Sequence, residues 1–126
     1  RLAEPGASAM RRSPLCGSKV TVDVTLHNGW IVEFAQDVKA CALGQAAASI
    51  AGQNMIGSTT AQVEDARDQL ESMLKGTGPV PAAPFDGFEV LTPAIGYKNR
   101  HASILLALQA TAAACADAAA KSKVQF

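Results

Sequence analysis

Between Lys19 and Leu26 the chain alternates strictly, with Val20, Val22, Val24 and Leu26 facing one way and Thr21, Asp23 and Thr25 the other. A period of two is the signature of a half-buried strand. Asn28-Gly29 follows at once, the dipeptide that best tolerates the positive φ angles of a type I′ turn, and then Trp30, Val32 and Phe34 alternate with Ile31, Glu33 and Ala35. The pattern predicts a β-hairpin whose two-residue turn sets Val20 near Gln36 or Asp37. From Ala42 the period becomes helical: Leu43, Ala46, Ala47 and Ile50 share one face, and the segment ends near Gly52 or Gly57. A second helix, capped by Ser58, Thr59 or Thr60, carries the stripe Val63, Ala66, Leu70, Met73 and Leu74, with Glu64 and Asp65 in its first turn and Lys75-Gly76 closing it.

The remaining segments are less periodic. Residues 1–15 are polar and broken by Pro5, Gly6 and Pro14, which predicts an N-terminal arm with one short helical turn around Ala7 to Arg12. The stretch from Thr77 to Pro93 is rich in proline and glycine and reads as a loop with a short turn at Phe85 to Val90. A last helix starts at about Asn99 or Ser103 and runs to Lys121, offering Leu105, Leu106, Leu108, Ala112 and Cys115 to the core. The predicted layout is one domain over residues 16–126 after an arm at 1–15. Its class is α+β, a small antiparallel β-sheet built on the hairpin and packed against several α-helices.

Composition narrows the partners. The chain has 126 residues, with 11 Lys+Arg against 11 Asp+Glu, so there is no basic excess for counterion-driven nucleic-acid binding or for an anionic membrane. The longest Ala-rich stretches are interrupted by Gln109, Asp117 and Lys121, which argues against membrane insertion. Cysteines Cys16, Cys41 and Cys115 form an odd and sparse set, suited to a reducing cytoplasm and not to a disulfide framework. The chain starts Arg1-Leu2-Ala3-Glu4 with neither an initiator Met nor an apolar signal core, which suggests residues missing ahead of Arg1.

The candidate chemistry lies at the open end of the hairpin. Cys16 sits in Ser13-Pro14-Leu15-Cys16-Gly17-Ser18, directly before the first strand, and Cys41 follows the second. Pairing through the Asn28-Gly29 turn makes these ends converge. A cysteine at a helix N-terminus is near unpaired N–H groups and the positive dipole end, which favours the thiolate, the form that binds metal. Cys115 lies within an alanine run on the last helix and reads as a packing residue. His27 precedes the hairpin turn and reads as a solvated residue, whereas His101 opens the last helix after Lys98-Asn99-Arg100 and can reach the hairpin's open end. Asp65, Asp68 and Glu71 read as a solvated helix face, and no catalytic triad, paired-carboxylate motif or phosphate loop presents itself.

Two stretches, Cys16-Gly17-Ser18-Lys19-Val20-Thr21-Val22-Asp23-Val24 and Cys41-Ala42-Leu43-Gly44-Gln45-Ala46-Ala47-Ala48-Ser49, resemble the iron–sulfur cluster assembly scaffold family of the IscU, SufU and NifU N-terminal type. The resemblance implies a SufE/NifU-like fold, a transient Fe–S cluster or a zinc ion as cargo, a cysteine desulfurase or other Fe–S assembly proteins as partners, and no enzymatic activity, since scaffolds hold and hand over rather than turn substrate over. It also departs from that pattern. Ser18 stands where the first motif has Asp, and in Arg100-His101-Ala102-Ser103 the third-motif cysteine is replaced by Ala102 or Ser103, depending on the register. The best available ligand set is Cys16, Cys41 and His101, with Ser18 or Ser103 a poor fourth, whereas a closed site wants about four soft ligands. Three readings follow: a scaffold that binds metal or a cluster through Cys16 and Cys41; a degenerate relative that carries no cluster and serves as a structural or accessory subunit of a larger complex; and redox chemistry through a Cys16–Cys41 disulfide.

Overall fold

The computed structural model describes residues 1–14 and 17–124, with side chains through Lys121. Its sheet has three antiparallel strands in the order β1 (Ala7–Arg12), β2 (Lys19–His27) and β3 (Trp30–Lys39). Val20, Val22 and Val24 are buried on one face of β2, as the alternation predicts, and Asn28 and Gly29 turn the hairpin with φ of 52° and 82°.

The register differs from the expected one. Val20 pairs with Val38, because an irregularity at Thr25/Leu26 sets Thr25 against Glu33 and Leu26 against Ile31 and leaves Val32 as an extra residue. The bulge re-phases β3. Ile31 lies inward before it and Phe34 and Val38 pack against the core after it, while Trp30 and Val32 stay exposed. A strand with an uninterrupted period could not bury both Ile31 and Phe34, since a shift of one residue exchanges faces.

The expected helical turn at Ala7 to Arg12 is instead strand β1. Six residues are too few to hold a helix, and the free edge of β2 offers partners from Ala7↔Val24 to Arg12↔Lys19. Ala7 is buried beneath the helices, and Ser8 faces the opposite side with Asp23.

Helix α1 (Ala42–Gln53) and helix α2 (Thr60–Leu74) follow the hairpin. Thr59 caps α2 through a capping box: its hydroxyl accepts from the Gln62 N–H, and the Gln62 side chain accepts from the Thr59 N–H. Because the helix begins at Thr60, Glu64 and Asp65 fall beyond its first turn. At the other end Gly76, with φ 77°, donates to Met73 O while Thr77 N donates to Ser72 O, the paired bonds of a Schellman cap.

The expected loop before Pro93 contains a 3₁₀ helix over Asp86–Gly96. Phe85, Phe88, Leu91 and Ala94 recur every three residues, the period at which 3₁₀ side chains eclipse, and all four are buried. A second short 3₁₀ turn, Lys98–Arg100, leads into α3 (His101–Val124). Helix α3 runs across β1 and β2 and also packs on α1 and α2, so it is apolar on almost every side. The stretch Lys98–Lys121 is long and apolar enough to cross a membrane by length and composition, contrary to the expectation from its interruptions; more than half of it is buried in this fold. Cys115 is fully buried on α3, as the packing reading requires, and burial pushes its thiol up to about 11.

Candidate functional site

The open end of the sheet brings together the β1–β2 connection, the start of α1 and the start of α3. Cys16 lies outside the described residues. On the stems of its loop, Ser13 N donates to Ser18 O at 2.8 Å and Gly17 N to Ser13 O at 3.1 Å, and Gly17 adopts φ 70°, a conformation that glycine takes without strain.

Cys41 is the N-cap of α1, in extended conformation, and its carbonyl accepts the first helical bond from Gln45 N at 2.9 Å. Its side chain makes no capping hydrogen bond, and it is half-buried beside the unpaired N–H groups of the first turn. Gln45 folds back so that its Nε2 donates to Ala40 O at 2.9 Å, which ties the residue before Cys41 to the helix after it. Gln45 belongs to the motif that carried the resemblance, but its positioning role depends on this bond and was not read from the sequence.

The start of α3 packs against this turn. A methyl group built on Gly44 would lie 2.8 Å from Ala40 Cβ and 3.4 Å from Ser103 Cβ, so the glycine is required by close approach. Ser103 in turn donates to Ser18 Oγ at 3.0 Å, across 85 positions of sequence, and both residues are buried. The two residues considered as poor fourth ligands are therefore bonded to one another. To act as a ligand, either oxygen would exchange this contact for a metal.

His101 is the first residue of α3, and its ring is turned toward the 3₁₀ helix, with Nε2 3.0 Å from both Ala94 O and Ile95 O. Both partners are carbonyls and only accept, so Nε2 carries a proton and donates. In the neutral imidazole that leaves Nδ1 as the basic nitrogen, and a carbonyl on the far nitrogen is the usual way a metal-binding histidine is oriented. His27, by contrast, is exposed at the hairpin tip. Among the described residues no group of three His, Cys, Asp or Glu side chains converges closely enough to hold a metal ion.

Asp23 forms a different cluster on the outer face of the sheet. It is buried, and it accepts a forked pair of bonds from Arg1, through Nε at 3.1 Å and Nη2 at 2.9 Å, together with bonds from Leu2 N and the Ser8 hydroxyl. The Arg1 hydrogen bond, against the opposing cost of burial, holds this carboxyl well below the usual carboxylate range. It ties the N-terminal residues to the sheet and stands apart from the thiol.

The N-terminal part of a NifU-like protein from Brucella abortus, described as nitrogen-fixing, shares 44% sequence identity with this chain. The two superpose with a TM-score of 0.92, over 95% of this chain and 83% of the other. The chain belongs to the NifU-like N-terminal family. A protein from Fervidobacterium islandicum, assigned as an iron–sulfur cluster assembly scaffold of the SUF system, superposes with a TM-score of 0.79 at 20% identity, over 90% of this chain and 83% of its own. A further structure, titled only as a hypothetical protein, gives 0.81 at 20% identity over the same shares. At that identity these two establish the fold alone, which is the NifU-like α+β arrangement expected from the sequence. No protein-family model matches the chain, and no curated protein does.

Proposed function

We propose that this NifU-like chain is a scaffold on which an iron–sulfur cluster is assembled and then handed on, held through Cys16 and Cys41 with His101 assisting. The observation that carries the reading is the placement of Cys41 at the N-terminus of α1, whose first turn packs through Gly44 against Ser103 near the start of α3, the helix that His101 opens. It is supported by membership of a family whose relatives include a SUF-system scaffold of the same fold. A helix N-terminus favours the thiolate, and thiolate is the form that binds iron or zinc. The cluster is cargo, so no turnover is assigned. Sulfur would arrive from a cysteine desulfurase or another assembly protein, in a soluble cytoplasmic setting.

A second reading rests on the Ser18–Ser103 hydrogen bond. Where the scaffold pattern has an aspartate, this chain has a hydroxyl that is tied to α3. A relative that has lost ligands in this way serves as a structural or accessory subunit of a larger assembly.

One experiment separates the two. Protein purified anaerobically is assayed for iron, zinc and acid-labile sulfide, with a visible spectrum, beside Cys16→Ser, Cys41→Ser and His101→Ala. The scaffold reading expects iron and sulfide in the wild type, loss in either cysteine variant, and weaker retention in His101→Ala. Zinc without sulfide narrows the role to metal binding. A colourless, metal-free wild type that also fails to take up iron and sulfide moves the chain to the accessory reading.

A further inference from the structure

Strand β1 is an edge of the sheet, so half of its backbone groups have no strand to pair with. Their phase follows from the bond just past its end. Ser13 N donates to Ser18 O at 2.8 Å, continuing the register in which Arg12, Lys19 and Lys39 stand in line across the three strands. Backbone groups along a strand point alternately to either side. Those of Ala7, Ala9 and Arg11 therefore face β2, and those of Ser8, Met10 and Arg12 face outward. All three outward residues are exposed. Met10 O accepts from the guanidinium of its own neighbour, Arg11 Nη1, at 2.9 Å, which confirms the phase.

Beside this edge, on the helix-covered side, lies a cleft of about 480 Å³, within the range of ligand-binding sites. Arg11 pairs with the buried Val20 and shares its face, and it forms one wall. Glu64 and Arg67 of α2 form the other. Helix α3, which packs on both β1 and α2, supplies Gln109, Ala112 and Ala116 between them. Among the described residues none from β2 or β3 lines the cleft, which puts it on the free side of β1. A strand edge that faces a helix across a groove of small residues suits an extended peptide, whose backbone pairs with the edge while alternate side chains enter the groove.

Charge states what such a peptide carries. Arg11 and Arg67 come from opposite walls, against the single carboxylate of Glu64. Arg67 gives its Nε proton to the solvent-exposed Asp68 and keeps both Nη groups, and Arg11 keeps Nε and Nη2. A second copy of β1 does not fit this groove, because it would bring its own Arg11 inward against two guanidiniums.

We infer that the free edge of β1 and the cleft beside it bind an extended acidic segment of a partner protein, which adds to the sheet as a fourth strand and sets a carboxylate between Arg11 and Arg67. The inference stands apart from the scaffold reading and from the thiol. In antiparallel pairing, the partner residues bonded to Ser8, Met10 and Arg12 turn their side chains to the outer face, and those between them turn inward. The partner residue opposite Arg11 then forms a non-hydrogen-bonded pair, the kind in which side chains come closest.

The test uses synthetic peptides in which threonine, a good strand former, alternates with glutamate. Binding to wild type is compared with that of a peptide carrying lysine for glutamate, and with two forms of the acidic peptide methylated on backbone nitrogen, at the threonines or at the glutamates. The acidic peptide should bind, and the lysine peptide should not. Methylation at the threonines, which removes the N–H groups aimed at β1, should weaken binding roughly tenfold or more, whereas methylation at the glutamates should leave it. Bound peptide should slow amide exchange at Ser8, Met10 and Arg12 and leave Ala7, Ala9 and Arg11 unchanged. Arg11→Gln/Arg67→Gln should lose roughly tenfold or more in affinity, and Arg11→Glu/Arg67→Glu should prefer the lysine peptide, a reversal that misfolded protein could not give. No binding of the acidic peptide to wild type overturns the inference. So does equal binding of the two methylated forms, which would leave no role for the edge, or of the acidic and lysine peptides, which would leave none for the arginines. Self-association of the wild type that protects the Ser8, Met10 and Arg12 amides would assign the edge to a second copy and overturn it as well.

Discussion

At the hairpin end of the sheet backbone bonds tie the turn to the segment ahead of α2, whereas at the open end side chains join the start of β2 to α1 and α3. Around the turn, Ile31 N donates to Ser58 O and Gly57 N to Ile31 O, both at 2.8 Å, while Thr60 N donates to Gly29 O at 3.2 Å. Helix α2 is launched from the same place by its capping box. At the open end a pair of hydroxyls, a glycine contact and a folded-back glutamine join the start of β2, α1 and α3. Backbone closure depends little on side-chain identity, so it holds the frame while side chains vary. Closure by side chains depends on which residues are present, and it occurs at the end where the Cys41 thiol lies.

Substitutions test that division, and the largest effect belongs to the frame. Ile31 is fully buried, and Ile31→Ala should cost about 2–5 kcal/mol, read as a lower urea midpoint at unchanged slope. Iron and sulfide bound per folded molecule should stay at the wild-type level. Loss of binding by folded Ile31→Ala protein would show that the two ends are coupled.

Next is the hydroxyl pair. Ser103→Ala removes the buried bond donated to Ser18 and should cost about 0.5–1.5 kcal/mol. With Ser18→Ala it should show a coupling of about 0.5–1.5 kcal/mol in a double-mutant cycle. Strict additivity would mean that the hydroxyls do not work as a unit. Thr59→Ala, at the hairpin end, removes the α2 cap and should cost about 1 kcal/mol, with no change in metal content.

The smallest effect is the pH dependence at Asp23. Its folded pKa lies below its unfolded value of about 3.9, so its contribution is present above that pH and is lost as pH falls through the acid range toward the folded value. Asp23→Asn should therefore flatten the stability profile below about pH 4. The Arg1 side chain is 52% exposed, so added salt should shrink the difference between variant and wild type. A profile in Asp23→Asn as steep as in the wild type would assign acid sensitivity to other carboxylates.

Local pattern determined much of this molecule. The alternation from Val20 to Leu26, the Asn28-Gly29 turn, the stripe on α2 and the Thr59 and Gly76 caps are decided by neighbours within a few residues, and the backbone follows them. The motifs around Cys16 and Cys41 carried the family for the same reason, since each is contiguous. A period of three from Phe85 to Ala94 was also present, but proline and glycine in that stretch favoured a loop.

Tertiary structure alone decided what depends on distant segments. Strand β1 forms because β2 has a free edge, and the extra residue at Val32 re-phases β3 because the helices demand both Ile31 and Phe34 on one face. Ser18 meets Ser103, and Arg12, Lys19 and Lys39 come into line, only once register and helix packing are set. A sequence written in one dimension fixes periods and caps, whose energies are local. Contacts between residues far apart in sequence depend on how those pieces fill a common core, and in this chain the site end is made of such contacts.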